Sequence, residues 1–125
     1  MIHLLYVVLG GALGTACRYG LALLVNTWLQ QPKFPYATFL INLSGSFAIG
    51  ALAELFRLQL LASPEWRLAL LTGVLGGYTT FSAYSLETLS LLRAGSWGVA
   101  LGYALGSVAG GLFCAWLGMR VAQLI

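Results

Sequence analysis

The chain has 125 residues, 60% of them hydrophobic and 7% charged, and a mean hydropathy of +0.91. Soluble globular chains carry about 25% charged residues, so this one lacks the polar surface an ordinary water-soluble domain needs. Its net charge of +3 comes from six basic residues scattered from Arg18 to Arg120. They form no run that tracks a phosphate backbone, which excludes a nucleic-acid binder.

Four apolar stretches, at about 3–29, 36–58, 67–92 and 97–122, are each close to the length a helix needs to cross a bilayer. The expected architecture is an all-α membrane protein with four transmembrane helices in a single domain, 1–125. Short polar loops separate the stretches: Gln30, Gln31, Pro32, Lys33 and Pro35, then Ala62 to Glu65, then Arg93 to Ser96. They leave no room for a soluble domain, and the N-terminus lacks the basic stretch that opens a signal peptide.

The first stretch carries Gly10 and Gly14 four residues apart, a spacing that lets helix backbones approach closely. Arg18 falls inside it, where a charge needs a cavity or a partner. Cys17, and Cys114 in the fourth stretch, read as small buried hydrophobes rather than a disulfide or a metal site.

The second stretch sets Thr38, Asn42, Ser44 and Ser46 among apolar residues, with Thr38 and Asn42 on one helix face. An amide in hydrocarbon needs partners. Two readings of Asn42 stand level: it donates to an anion, or it bonds across to another helix.

The third stretch is the most informative. From Gly73 to Glu87 it reads GVLGGYTTFSAYSLE, an apolar segment interrupted by two glycines and then by hydroxyl and aromatic residues. The pattern predicts a helix broken at Gly76–Thr80. A break at membrane depth exposes backbone groups that hydrocarbon does not satisfy, so it must face protein, ions or a wet cavity. Carbonyls at the end of the first half-helix suit a hard cation. Beyond the break, Phe81 and Tyr84 share a face, with Ser82 and Ser85 on a neighbouring one. Ring edges are positive and can meet an anion, although aromatic pairs at this spacing also serve as packing. Glu87 closes the segment as a second charge at depth.

In the fourth stretch Gly98, Gly102, Gly106 and Gly110 form a small-residue stripe, beside a polar line of Tyr103 and Ser107 that continues to Gly111. That line either solvates an ion or bonds its own helix.

Enzyme chemistry finds little support. His3 is the sole histidine, Glu54, Glu65 and Glu87 lie far apart, and no base stands near the hydroxyl cluster. Orientation is weakly coded. Lys33 and Arg93 lie on one side and Arg57, Arg67 and Arg120 on the other, two against three. So small a bias is compatible with one topology or with both.

Three motifs, GTACRYG, FPYATFLINLSGSFAIG and GVLGGYTTFSAYSLET, together closely resemble the CrcB family, also called Fluc fluoride channels. The resemblance covers all four stretches. It implies an antiparallel, dual-topology homodimer in a prokaryotic plasma membrane (the inner membrane where there are two), with two pores that export fluoride passively. It also implies a sodium ion at the dimer centre, held by the backbone carbonyls of Gly76 and Thr79 from each subunit. By position, Asn42 becomes a pore donor, Phe81 and Tyr84 the aromatic pair, and Thr38, Ser82, Tyr103 and Ser107 polar lining; Arg18 and Glu87 match charged positions. Two residues depart from the pattern: Tyr84 stands where Phe is common, and Gly111 where a hydroxyl residue is frequent. The alternatives are a small dual-topology multidrug exporter, which needs a carboxylate in the first helix where this chain has Arg18, and a structural membrane subunit, which leaves the break unexplained.

Overall fold

A computed structural model describes residues 1–30 and 32–125; Gln31, assigned above to the first loop, lies outside them. The described residues are helical throughout apart from short connections. Helix α1 spans Ile2–Leu29 and ends where Gln30 turns into the left-handed region, φ 48°, its N–H donating to Asn26 O at 3.1 Å. Helix α2, Tyr36–Arg57, begins directly after Pro35, which fixes the entry angle of the chain. Ser63 then caps the short α3, Pro64–Arg67, accepting from Trp66 N at 3.4 Å, with Pro64 at the first helical position.

From there the chain widens into a π-helical segment, Leu68–Leu75, and tightens into one turn, α4, Gly76–Tyr78. Helix α5, Phe81–Arg93, follows after two extended residues. Gly95 ends it at φ 74°, where Gly95 N donates to Leu92 O and Ser96 N to Leu91 O; α6, Trp97–Ala122, completes the fold.

Three of these helices, Ile2–Leu29, Tyr36–Arg57 and Trp97–Ala122, are long and apolar enough to cross a membrane, which makes this a multi-pass membrane protein. The third expected span, 67–92, is no single helix. It is assembled from α3, the π-helical segment, α4 and α5.

Packing depends on close backbone approach. Helices α2 and α6 make the most extensive pairing, α1 lies along the π-helical segment and α4, and α5 leans on α6. A Cβ on Gly14 would collide with the Val74 carbonyl, and one on Gly118 with the Phe47 carbonyl, so glycine at these crossings lets dispersion contacts form between main chains. The expected stripe on α6 serves only in part. Gly110 packs on Leu43 and Gly106 lies near Phe39, but Gly98 and Gly102 face no atom within 4 Å. The interior is thin: Ala37, Ile41, Leu75, Ala100, Tyr103 and Ala122, with Thr38 and Glu54 as its polar members. Glu54 is 2% exposed and accepts from Arg57 Nε at 2.8 Å, Arg57 Nη2 at 2.6 Å and Gln123 Nε2 at 2.8 Å, which ties the end of α6 to α2. Against expectation, Cys17 is exposed and Cys114 only half-buried.

Candidate functional site

The break in the third span is narrower than the glycines suggest. Gly76 is helical, φ −62° and ψ −38°, and α4 continues through Tyr78. The chain leaves helical geometry at Thr79, φ −81° and ψ 157°, and at Thr80, φ −149° and ψ 115°. β-Branched residues favour this extended region. Gly77 has another purpose: a Cβ there would press on Gly11 O, so it lets α4 lie against α1.

Side chains repair the break. Thr80 N, which in a continuous helix would donate to Gly76 O, donates to Asn42 Oδ1 at 2.9 Å, and Asn42 Nδ2 donates back to Thr80 O at 3.1 Å. Ala83 N, which would donate to Thr79 O, donates instead to Thr80 Oγ1 at 3.2 Å, the N-cap of α5. Of the two readings of Asn42, the structure shows the bond across to another helix, with one of its two amide N–H bonds spent on Thr80 O.

A consequence follows for Gly76 and Thr79. The N–H groups that would normally cap their carbonyls are both engaged by side chains, so these two oxygens lack their helical donors. Nothing lies within 4 Å of the Cβ direction at Gly76, and the residue is exposed. Oxygen acceptors without their helical donors, Gly76 O on an exposed residue and Thr79 O on a half-buried one, fit a hard cation such as sodium.

Beside the break lies an open cavity of about 400 Å³, lined among others by Asn42, Ser46, Gly76, Thr79, Phe81, Tyr84 and Ser107. It thus unites six residues singled out in the sequence. Ser107 Oγ is buried there and has no hydrogen-bond partner among the described residues. Phe81 is 78% exposed, and its ring stands 5.5 Å from that of Tyr84 at 40°. The Tyr84 hydroxyl donates to Ala104 O at 3.2 Å, so the oxygen that distinguishes this position is tied to the backbone of α6.

Thr38, Tyr103 and Glu87 form a second cluster that does not line the cavity. Thr38 Oγ1 donates to Glu87 Oε1 and Tyr103 Oη to Glu87 Oε2, each at 2.7 Å. These bonds hold a half-buried carboxylate between two hydroxyls on separate helices. The rings of Tyr103 and Tyr84 pack at 5.3 Å, tilted by 51°, and connect this cluster to the cavity. Ser82 is exposed and pairs with Thr80 Oγ1 at 3.3 Å, off the cavity wall. Arg18 also stays off it, half-buried, with Nε lacking a hydrogen-bond partner among the described residues.

Two contributors carry no role in the sequence-based site. Ser46 lines the cavity, and its Oγ lies 3.4 Å from where a Cβ on Gly111 would stand, which puts a hydroxyl beside the glycine that interrupts the polar line of α6. Its spacing of four from Asn42 is the signal that points to it. Phe34, in the first loop, packs edge-on to Tyr103 at 5.5 Å and to Phe39 at 5.2 Å, an arrangement no local pattern announces.

A family profile described as "CrcB-like protein, Camphor Resistance (CrcB)" matches residues 5–119. Three relatives named "Fluoride-specific ion channel FluC" align over nearly their full length. That of Thermus thermophilus is 51% identical over 121 residues, covering 97% of this chain and 95% of the relative. That of Rhizobium meliloti is 46% identical over 126 residues, 98% of each. That of Methylobacillus flagellatus is 43% identical over 124 residues, 99% of this chain and 97% of the relative. A match over almost the whole chain, and relatives this similar from end to end, show that the protein belongs to the CrcB-like family.

Proposed function

We propose that this chain is a subunit of a fluoride-selective channel through which fluoride leaves the cytoplasm passively, down its electrochemical gradient. The names of the relatives support this reading, and the observation that carries it is the donor set beside the helix break. Ser107 Oγ is buried in the cavity wall without a partner, the Asn42 amide keeps one N–H beyond its bond to Thr80, and the ring of Phe81 stands exposed at the rim. Fluoride is small and loses a large hydration energy on entering a narrow path, so it needs short, strong hydrogen bonds in return. Neutral donors and positive ring edges supply these without a cationic side chain in direct contact with the ion.

The assembly is an antiparallel homodimer with two pores. Three features support it: the near-balanced basic residues, the open glycines Gly98 and Gly102, and Phe81, a large apolar ring that one protomer leaves 78% exposed. A sodium ion at the dimer centre is held by Gly76 O and Thr79 O from each subunit. It supplies a fixed positive charge and ties the two breaks together. The protein resides in the plasma membrane of a prokaryote, the inner one where there are two.

Multidrug export is the weaker reading. It needs a proton-exchanging carboxylate in the first helix, and α1 contains no Asp or Glu. Purified protein in liposomes loaded with potassium fluoride or potassium chloride, with a potassium ionophore added, decides between them. Rapid fluoride efflux with negligible chloride efflux is expected. Absence of fluoride efflux from folded protein, with proton-coupled uptake of a lipophilic cation, overturns the channel reading.

A further inference from the structure

A second cavity, of about 330 Å³, lies between the first turns of α1 and the α3 corner and is lined by Ile2, Tyr6, Ser63, Glu65, Trp66 and Ala69, none of which lines the first. Nothing in the channel reading uses it. Its chemistry is distinctive for so apolar a protein: two aromatic residues and a carboxylate converge on one hollow.

The carboxylate is held in place. Ser63 Oγ donates to Glu65 Oε2 at 2.6 Å, while Oε1 has no side-chain partner among the described residues. This bond, with a backbone hydrogen bond to the same carboxyl, holds it below the usual carboxylate range. Glu65 makes no ion pair among the described residues, whose salt bridge joins Arg57 and Glu54. A fixed negative charge with a free oxygen, flanked by the rings of Tyr6 and Trp66, is the recognition chemistry of an ammonium group.

The rim shows where that ammonium comes from. Ile2, Leu4 and Leu5 on α1 are 61%, 64% and 53% exposed, Trp66 is 63% exposed, and Leu60 and Leu61 beside the corner are exposed too. Exposed apolar side chains at the end of a membrane-spanning helix, beside a hollow lined by Trp66 and Tyr6, suit the boundary between lipid chains and headgroups. We propose that this pocket binds the headgroup of phosphatidylethanolamine, whose primary ammonium donates to Glu65 Oε1 against Tyr6 and Trp66, with its acyl chains lying along the exposed residues of α1. The site is independent of fluoride conduction.

Native mass spectrometry of the full-length protein, delipidated and then exposed to equimolar phosphatidylethanolamine and phosphatidylglycerol of matched chains, tests it. The expected result is a severalfold excess of phosphatidylethanolamine adducts, abolished in Glu65→Gln and reduced in Trp66→Leu, with Arg93→Gln as a control that keeps the preference. Equal retention of the two lipids by the unaltered protein, or an undiminished preference in Glu65→Gln, overturns the site. Should Glu65→Gln fail to fold, the unaltered protein decides the matter: competition by phosphatidylethanolamine but not by phosphatidylglycerol against a labelled phosphatidylethanolamine supports the site, and equal competition overturns it.

Discussion

Asn42 and the backbone of Thr80 pair as two amides, each donating to the other, at 2.9 and 3.1 Å. A side chain on α2 thereby replaces hydrogen bonds that the third span gives up where it breaks, and still keeps a donor for the cavity.

Asn42→Asp tests both roles together. The carboxylate lacks the N–H that serves Thr80 O, and leaving that carbonyl unpaired costs about 1–3 kcal/mol. It also sets a negative charge in the anion path. Fluoride efflux from liposomes is expected to fall by at least roughly tenfold, the equivalent of about 1.4 kcal/mol in barrier. An unchanged rate would remove Asn42 from the pathway.

Phe81→Ile removes the exposed ring while keeping apolar bulk. The expected outcome is strongly reduced fluoride flux from protein whose elution profile and cross-linked dimer match the parent. Undiminished flux in the same vesicle assay shows that the ring edge takes no part in conduction.

Glycines on α6 should separate sharply by position. Gly118→Ala puts a methyl group against the Phe47 carbonyl and forces α2 and α6 apart, at about 1–3 kcal/mol, read as a lower thermal midpoint in detergent. Gly98→Ala meets nothing in its own chain, and its helix gains about 1 kcal/mol in propensity. If Gly98 lies at the contact between subunits, the same substitution weakens the dimer while leaving each helix sound. Equal stability of the two variants would contradict the packing described.

Exchange of sodium for a bulky organic cation during purification is expected to lower dimer stability and fluoride flux, both restored by millimolar sodium. Indifference of both readouts to sodium would assign the free carbonyls of Gly76 and Thr79 to some other partner.

Spans and polar clusters were legible because they depend on local composition. The second and fourth spans, expected at 36–58 and 97–122, form Tyr36–Arg57 and Trp97–Ala122. The third kept its position and its break, which narrows from Gly76–Thr80 to Thr79 and Thr80. Glycines at Gly76 and Gly77 suggest a hinge, yet in a membrane bundle small residues more often allow close approach, and Gly77 against Gly11 does so. The sequence signal for the true break is Thr80, a favoured N-cap residue at the start of a fresh helix. Asn42, Phe81, Tyr84 and Ser107 come together at the cavity as the family resemblance implies; spacing alone pairs only Phe81 with Tyr84. What no local pattern reveals is tertiary: Ser46 beside Gly111, Phe34 on Tyr103, and the α6 carbonyl that engages the Tyr84 hydroxyl.

Two residues of extended chain separate helices that run into the break from either side. Aligned peptide dipoles give the end of Pro64–Tyr78 a partial negative charge, and the start of Phe81–Arg93 a partial positive one. The interruption therefore sets two opposite electrical poles within a few ångströms of each other. In the channel proposed above, one short defect in one helix would give a cation and an anion separate berths, at no expense in ionisable side chains.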